Sequence, residues 1–215
     1  SSKSWFKLHD DIAEGHNVTF IDDYTVLSPC YLETLKPDII FFPHWNWKVG
    51  PEIHKNYHCI VFHTAPLPYG RGGSPIQNLI LEGHEYVPVC ALQMTDDMDA
   101  GAIYASRLIS LEGRLRDIFK RINDSVNQLI ADLVSGVLPH PVPQKGEPHY
   151  FKRRSDTDNQ IPEDIDLKQI FDRIRMLDDE SYPRSFITHG DYRIEFSDAE
   201  FDGNKIIASG SIHKC

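Results

Sequence analysis

Three short stretches of this 215-residue chain carry side chains that can do chemistry. The first is Val61–Gln77, VFHTAPLPYGRGGSPIQ, in which His63 directly follows an apolar run and a loop rich in proline and glycine leads toward a helix. An imidazole titrates near neutrality, so it can carry a proton or donate to a developing negative charge. The glycines of Gly70–Gly73 let backbone approach a ligand closely, although no Gly-Lys-Ser/Thr follows to make a phosphate loop. A capped loop histidine is the plainer alternative. The second stretch is Met94–Gly101, MTDDMDAG, with three acidic residues in four positions, a repulsive arrangement that stability alone does not favour. Asp99 lies 36 residues beyond His63, one crossover unit later, so a carboxylate at an adjacent strand end would orient the imidazole. A solvated acidic turn or a helix cap is the alternative there. The third stretch is Pro43–Val49, PHWNWKV, where two tryptophans flank Asn46. They can line a pocket for a flat ring or cover a core edge, and the segment by itself favours the core edge. His54 and His58 have the i, i+4 spacing that metal sites use, but no third ligand completes a set, so they read as surface histidines and no metal is expected.

These residues need elements to hold them. Asn17–Phe20, Asp38–Phe42 and Cys59–Phe62 have the short β-branched or aromatic runs of buried parallel strands, and Val87–Met94 reads as a further strand. Pro29–Leu35, Pro51–Tyr57 and Pro75–Glu82 read as helices, the last closed by Gly83. Over Arg114–Val134 apolar residues recur at helical spacing, at Leu115, Ile118, Phe119, Ile122, Val126, Leu129, Ile130 and Leu133. Strands alternating with helices predict an α/β fold, Rossmann-like, with a mostly parallel sheet flanked by helices, and ligands in such sheets sit beyond the strand ends. Four prolines in the eleven residues Leu138–Pro148 predict an extended connector. A helix over Leu167–Leu177 and a hairpin around Asp202-Gly203-Asn204 predict a small C-terminal α+β appendage. The expected organisation is therefore residues 1–137, a connector over 138–150 and a subdomain over 151–215. Residues 1–10 contain no strand, and the expectation is that upstream residues are absent from this sequence.

Composition narrows the partners. Neither a signal peptide nor an apolar run long enough for a membrane span is present, so a cytoplasmic protein with no membrane partner is expected. Cys30, Cys59, Cys90 and Cys215 form no C-x-x-C pair and read as reduced thiols, with Cys59 and Cys90 as small core hydrophobes. The formal net charge is −10, and the one dense basic run, Lys152-Arg153-Arg154, is followed at once by Asp156 and Asp158. Such a chain repels nucleic-acid phosphates, so no nucleic-acid partner is expected.

The order strand, His63, loop LPYGRGGSPIQ, strand, MTDDMDAG resembles the folate-dependent formyltransferases, whose pattern is Asn-x-His at a strand end, a Leu-Pro loop and Asp-x-Gly about 36 residues later. The resemblance runs from about residue 36 to residue 135. The tail, with YFKRRSDTD and IRMLDDESYPRSFI, is most similar to the bacterial sugar N-formyltransferases of the pseudaminic-acid type. The resemblance implies N10-formyltetrahydrofolate as donor cosubstrate and a nucleotide-linked amino sugar as acceptor. It implies His63 and Asp99 as catalytic residues, a folate site from His44, Trp45, Asn46, Trp47, Gln93, Thr95, Asp96 and Asp97, and acceptor contacts from Lys3, Trp5, Arg71, Gly72 and Gly73. One position departs from the pattern: the family asparagine falls at Val61, which cannot donate to an oxyanion, and Asn46 on the neighbouring strand end, a backbone amide or the substrate itself is the candidate replacement. Two other readings stand beside this one. A methionyl-tRNA formyltransferase would need a basic C-terminal region, yet from Glu147 onward there are 10 Lys/Arg against 15 Asp/Glu. A non-catalytic folate- or nucleotide-sugar-binding module is the reading that Val61 keeps open.

Overall fold

A computed structural model describes residues 1, 5–136 and 138–214. Lys3 and Cys215 lie outside the described residues. In chain order the elements are α1 (Asp10–Glu14), α2 (Pro29–Leu35), β1 (Ile40–Phe42), α3 (Pro51–His54), β2 (Cys59–Thr64), β3 (Arg71–Gly72), α4 (Pro75–Leu81), β4 (Tyr86–Gln93), β5 (Ile103–Ser110), α5 (Leu115–Val134), β6 (Tyr150–Phe151), α6 (Leu167–Arg175), β7 (Ser185–His189), β8 (Tyr192–Phe201) and β9 (Ile206–Lys214). The chain divides into two compact units that interleave along the sequence: Ser1–Arg71, Val87–Ile109 and Lys120–Tyr150 form one, and Gly72–Tyr86, Ser110–Phe119 and Phe151–Cys215 the other.

The first unit is built on a four-stranded sheet of order β1-β2-β4-β5. β1 and β2 are parallel, whereas β2 and β4 are antiparallel, with Ile60 opposite Gln93 and His63 opposite Cys90. The α/β class holds, and the sheet is mixed where the sequence predicts mostly parallel strands. β5 was not foreseen; at the end of the strand order its apolar residues are interspersed with Ser106, Arg107 and Ser110, because an edge strand needs no continuous apolar run. Helix α2 begins on Ser28, whose hydroxyl accepts from the Tyr31 amide at 3.3 Å, with Pro29 at the first position. All eight apolar positions read from the periodicity of α5 are buried, none more than 4 % exposed. Cys59 and Cys90 are core residues, and burial pushes both thiols up to about 12.

One strand prediction fails. Asn17–Phe20 forms no strand, and Val18 and Phe20 are 39 % and 62 % exposed. Strand propensity reports how well a side chain packs on a sheet, and this segment pairs with no described strand. The segment around Phe6 is held instead by α5: the amides of Lys7 and His9 donate to Asn123 Oδ1 and Asn127 Oδ1, both at 2.8 Å, and Asn127 Nδ2 donates to Lys7 O at 2.9 Å. Asn127 is fully buried with these bonds made.

In the second unit α6 carries a reciprocal cap, Asp166 accepting from the Gln169 amide at 2.8 Å and Gln169 accepting from the Asp166 amide at 3.1 Å. The helix packs Ile170, Phe171 and Ile174 with Phe196, Ala199 and Ile206 of the antiparallel sheet β7-β8-β9. The predicted hairpin is β8–β9, its turn fixed by Asp202 Oδ1 accepting from the Asn204 amide at 2.9 Å. The motif IRMLDDESYPRSFI supplies the ionic part of this core: Arg175 donates to Asp172 at 2.6 Å and to Leu111 O at 2.5 Å, and Arg184 donates to the buried Asp178 at 2.5 Å.

Candidate active site

Strand β2 carries His63 into the first unit with its ring 8 % exposed. Nε2 lies 2.8 Å from Gly70 O, and Nδ1 lies 3.3 Å from Asp99 Oδ2. An oxygen atom therefore faces each ring nitrogen, which fixes the ring plane. Asp99 reaches this position from the loop that follows β4, in a left-handed conformation at φ +52° that is uncommon for a side chain with a Cβ. Gly101 makes the loop fit: a β-carbon there would stand 1.7 Å from Gln93 O, so Asp-Ala-Gly at this turn has a steric cause. The predicted pair is thus brought together. The carboxylate comes from the segment directly after β4, as expected, but β2 and β4 run antiparallel where neighbouring parallel strands were expected.

Val61 stands two residues before His63 on the same face of β2, where it packs against the core cluster of Leu32, Phe42, Val49, Ile53 and Cys59. It contributes packing and no donor. Asn46 is exposed, and among the described residues its side chain makes no hydrogen bond. Its neighbours divide: Trp45 packs on that same core cluster, while Trp47 is 39 % exposed and stacks on Tyr24 at 5.1 Å. His44 and Trp5 pack on each other with ring centroids 4.1 Å apart. Gln93, Thr95 and Asp97 are exposed, with the Thr95 hydroxyl donating to Asp97 O at 3.0 Å. Asp96 faces His54 Nε2 at 3.2 Å and Lys55 Nζ at 2.8 Å, and the hydrogen bond from Lys55 holds its carboxyl below the ordinary range. Neither His54 nor His58 is the surface histidine the sequence predicts: the His54 side chain is 4 % exposed beside Asp96, and His58, half-buried, lies 2.8 Å from the Tyr104 hydroxyl. Among the described residues no group of three or more ligands could hold a metal.

Of the predicted acceptor contacts, Lys3 lies outside the described residues. Gly72 and Gly73 owe their residue type to their own chain: a β-carbon would stand 2.8 Å from Phe151 O at Gly72 and 2.5 Å from Arg153 Cα at Gly73. Arg71 donates from Nε and Nη2 to Gln144 Oε1, at 3.1 and 2.7 Å, and from Nη1 to the Tyr150 hydroxyl at 3.1 Å. Gln144 and Tyr150 are residues that sequence reasoning missed, because Pro141-Val142-Pro143-Gln144 reads only as stiff connector. In the structure this stretch is fastened to the His63 loop, the amides of Gly70 and Arg71 both donating to His149 O and His149 stacking on Tyr69 at 4.4 Å. A cavity of about 520 Å³ lies apart from this pair, lined by Phe6, Val18, Phe20, Ile39, Phe41 and Leu133 among others. Neither His63 nor Asp99 lines it, and the chemistry points to the pair.

A buried imidazole facing a carboxylate beside an α/β sheet has the groups that acid–base chemistry needs. The comparisons narrow the class. The described fold matches a solved methionyl-tRNA formyltransferase from Clostridium thermocellum with a TM-score of 0.91 and 38% identity, covering 99% of this chain and 96% of that one. A methionyl-tRNA formyltransferase of Sulfurihydrogenibium is 26% identical over 79% of this chain and 57% of its own length. Residues 156–213 match the family model described as methionyl-tRNA formyltransferase, C-terminal domain. A solved 4-N formyltransferase from Francisella tularensis shares the fold, with a TM-score of 0.61 and 18% identity over 72% of this chain and 67% of that one. The chain belongs to the formyltransferase family. It spans 57% of the Sulfurihydrogenibium relative and 34% and 66% of two further curated relatives.

Proposed function

We propose that this chain transfers a formyl group from N10-formyltetrahydrofolate to the amine of a nucleotide-linked amino sugar. The observation that carries the reaction type is the approach of the buried His63 and the partly buried Asp99, 3.3 Å apart, in a member of the formyltransferase family. In the transfer the bond from the formyl carbon to N10 breaks, a bond to the acceptor nitrogen forms, and one proton passes from that nitrogen to N10. His63, with Asp99 behind its Nδ1, exchanges its Nε2 contact with Gly70 O for the formyl oxygen as negative charge develops there, and the acceptor's proton leaves by way of the same site. Asn46, exposed and with no described partner, supplies the second donor in place of the family asparagine. The exposed Trp47–Tyr24 stack and the exposed turn Gln93–Asp97 suit a flat heterocycle with a polar edge, which is the chemistry of a pterin.

The acceptor is assigned from charge. A net charge of −10, and 15 acidic against 10 basic residues from Glu147 onward, suits a small acceptor and opposes a polyanionic one. The second reading, methionyl-tRNA as acceptor, is favoured by the names of the relatives and of the C-terminal family model. Incubation with the folate donor and either a panel of nucleotide-linked amino sugars or charged initiator tRNA separates the two. Gain of one formyl mass on a sugar supports the proposal, and formylation of the tRNA alone overturns it. Formylation of neither amine, with the folate bound, identifies a binding module.

A further inference from the structure

The proline-rich connector does more than span a gap, because one of its side chains saturates its hydrogen bonds on the candidate site. Gln144 Nε2 donates to Asp99 O at 2.8 Å and to Gly101 O at 2.9 Å. Its Oε1 accepts from Arg71 Nε and Nη2 at 3.1 and 2.7 Å. Two carbonyls at one end of the amide and a guanidinium at the other leave only one orientation of the group that pairs donors with acceptors. The two carbonyls bracket Ala100, the residue between the positive-φ Asp99 and the glycine that abuts Gln93 O. That left-handed backbone is what aims the Asp99 carboxylate at His63, and a residue with a Cβ leaves it readily unless its surroundings hold it. Val142, two residues earlier, exchanges backbone hydrogen bonds with Ile103 at 2.8 and 2.9 Å, so Gln144 projects from an anchored strand-like segment.

We infer that Gln144 is a positioning residue that holds the Asp99 carboxylate against His63 by clamping the Asp99 and Gly101 carbonyls, with Arg71 fixing the amide from its other end. The inference rests on the reading of His63 and Asp99 as the reacting pair. It is tested with Gln144→Ala, Gln144→Glu and the double variant Asp99→Asn/Gln144→Ala in the full chain. A carboxylate keeps the contact to Arg71 but cannot donate to a carbonyl. Both single variants should therefore slow single-turnover formyl transfer by about tenfold to a hundredfold, as small misplacements of a reacting group do. Affinity for the folate donor should stay within about twofold, since the lost contact acts on the transition state. The double variant should be no slower than Asp99→Asn alone, because Gln144 acts through Asp99. A wild-type rate in Gln144→Glu, or a double variant slowed by both factors multiplied, would overturn the clamp. Amide hydrogen exchange at Ala100 and Gly101 gives a readout independent of activity: both single variants should exchange faster there than the wild type. Unchanged exchange sinks the clamp whatever the rates show, whereas faster exchange with an active Asp99→Asn places the fault in the reading of the reacting pair.

Discussion

At the scale of single residues, two side chains and one position that departs from the family pattern carry the chemistry proposed above. His63 is 8 % exposed and Asp99 13 %, so their 3.3 Å approach is sheltered from the screening that empties most surface ion pairs of meaning. His63→Ala and Asp99→Asn should each lower turnover on the true acceptor by roughly a hundredfold or more, as positioned acid–base groups do. Thermal melts run alongside should move little, and near-normal turnover in either variant would discard the pair. Asn46 stands apart from that pair in its surroundings. Its side chain is exposed and braces nothing among the described residues, so Asn46→Ala should leave the melting temperature unchanged. Turnover should fall by on the order of a hundredfold, the cost of removing one oxyanion donor, with folate affinity intact. Loss of folate affinity together with stability would show instead that Asn46 holds the loop.

At the scale of elements the informative case is α5, which packs one face into the core and turns asparagines toward residues 5–9. Asn127 makes bonds to both His9 and Lys7 from a fully buried position. Asn127→Ala should destabilise the fold by about 1–3 kcal/mol, because a buried amide and carbonyl lose their partner. Faster exchange of the His9 amide would locate the damage, and an unchanged unfolding midpoint would show that water replaces the asparagine. Strand β2 and its neighbour β4 give a second test. Cys59 and Cys90 have thiols pushed up to about 12 by burial, so at pH 8 almost none of either is thiolate. Among the three cysteines of the described residues, Cys30, exposed on α2, should be labelled first by a thiol reagent in the native protein, with Cys59 and Cys90 reacting only on unfolding. Equal labelling rates would mean that the sheet opens far more often than its burial suggests.

At the scale of the whole molecule the deciding property is charge. An acidic polypeptide gains nothing from displacing counterions on a nucleic acid, so initiator tRNA should bind only weakly at physiological salt, with Kd in or above the roughly 0.1 mM to 1 µM range of non-specific contacts. A binding titration checks this, and a sub-micromolar, salt-sensitive complex would overturn the sugar assignment. Among the described residues no helix is long and apolar enough to cross a membrane.

Features whose information is local were legible in the residues alone. The eight apolar positions of α5 follow from helical periodicity, the starts of α2, α3 and α4 from their prolines, and the β8–β9 turn from Asp202-Gly203-Asn204. His63 and Asp99 were legible too, because an imidazole after an apolar run and a carboxylate cluster after another are unusual where they stand. Their loop geometry was not, since a glycine's purpose depends on what lies opposite it: Gly101 abuts Gln93 O, while Gly72 and Gly73 abut the chain at Phe151 and Arg153. Strand direction was also hidden, as the residues of β4 are apolar enough for either pairing with β2. Tertiary structure alone decided that Val18 and Phe20 are exposed, that Asp96 is spent on His54 and Lys55, and that Gln144 meets Asp99 across 45 residues. Each of these is a contact between distant parts of the chain, and residue type constrains such contacts only through the partners that folding brings alongside.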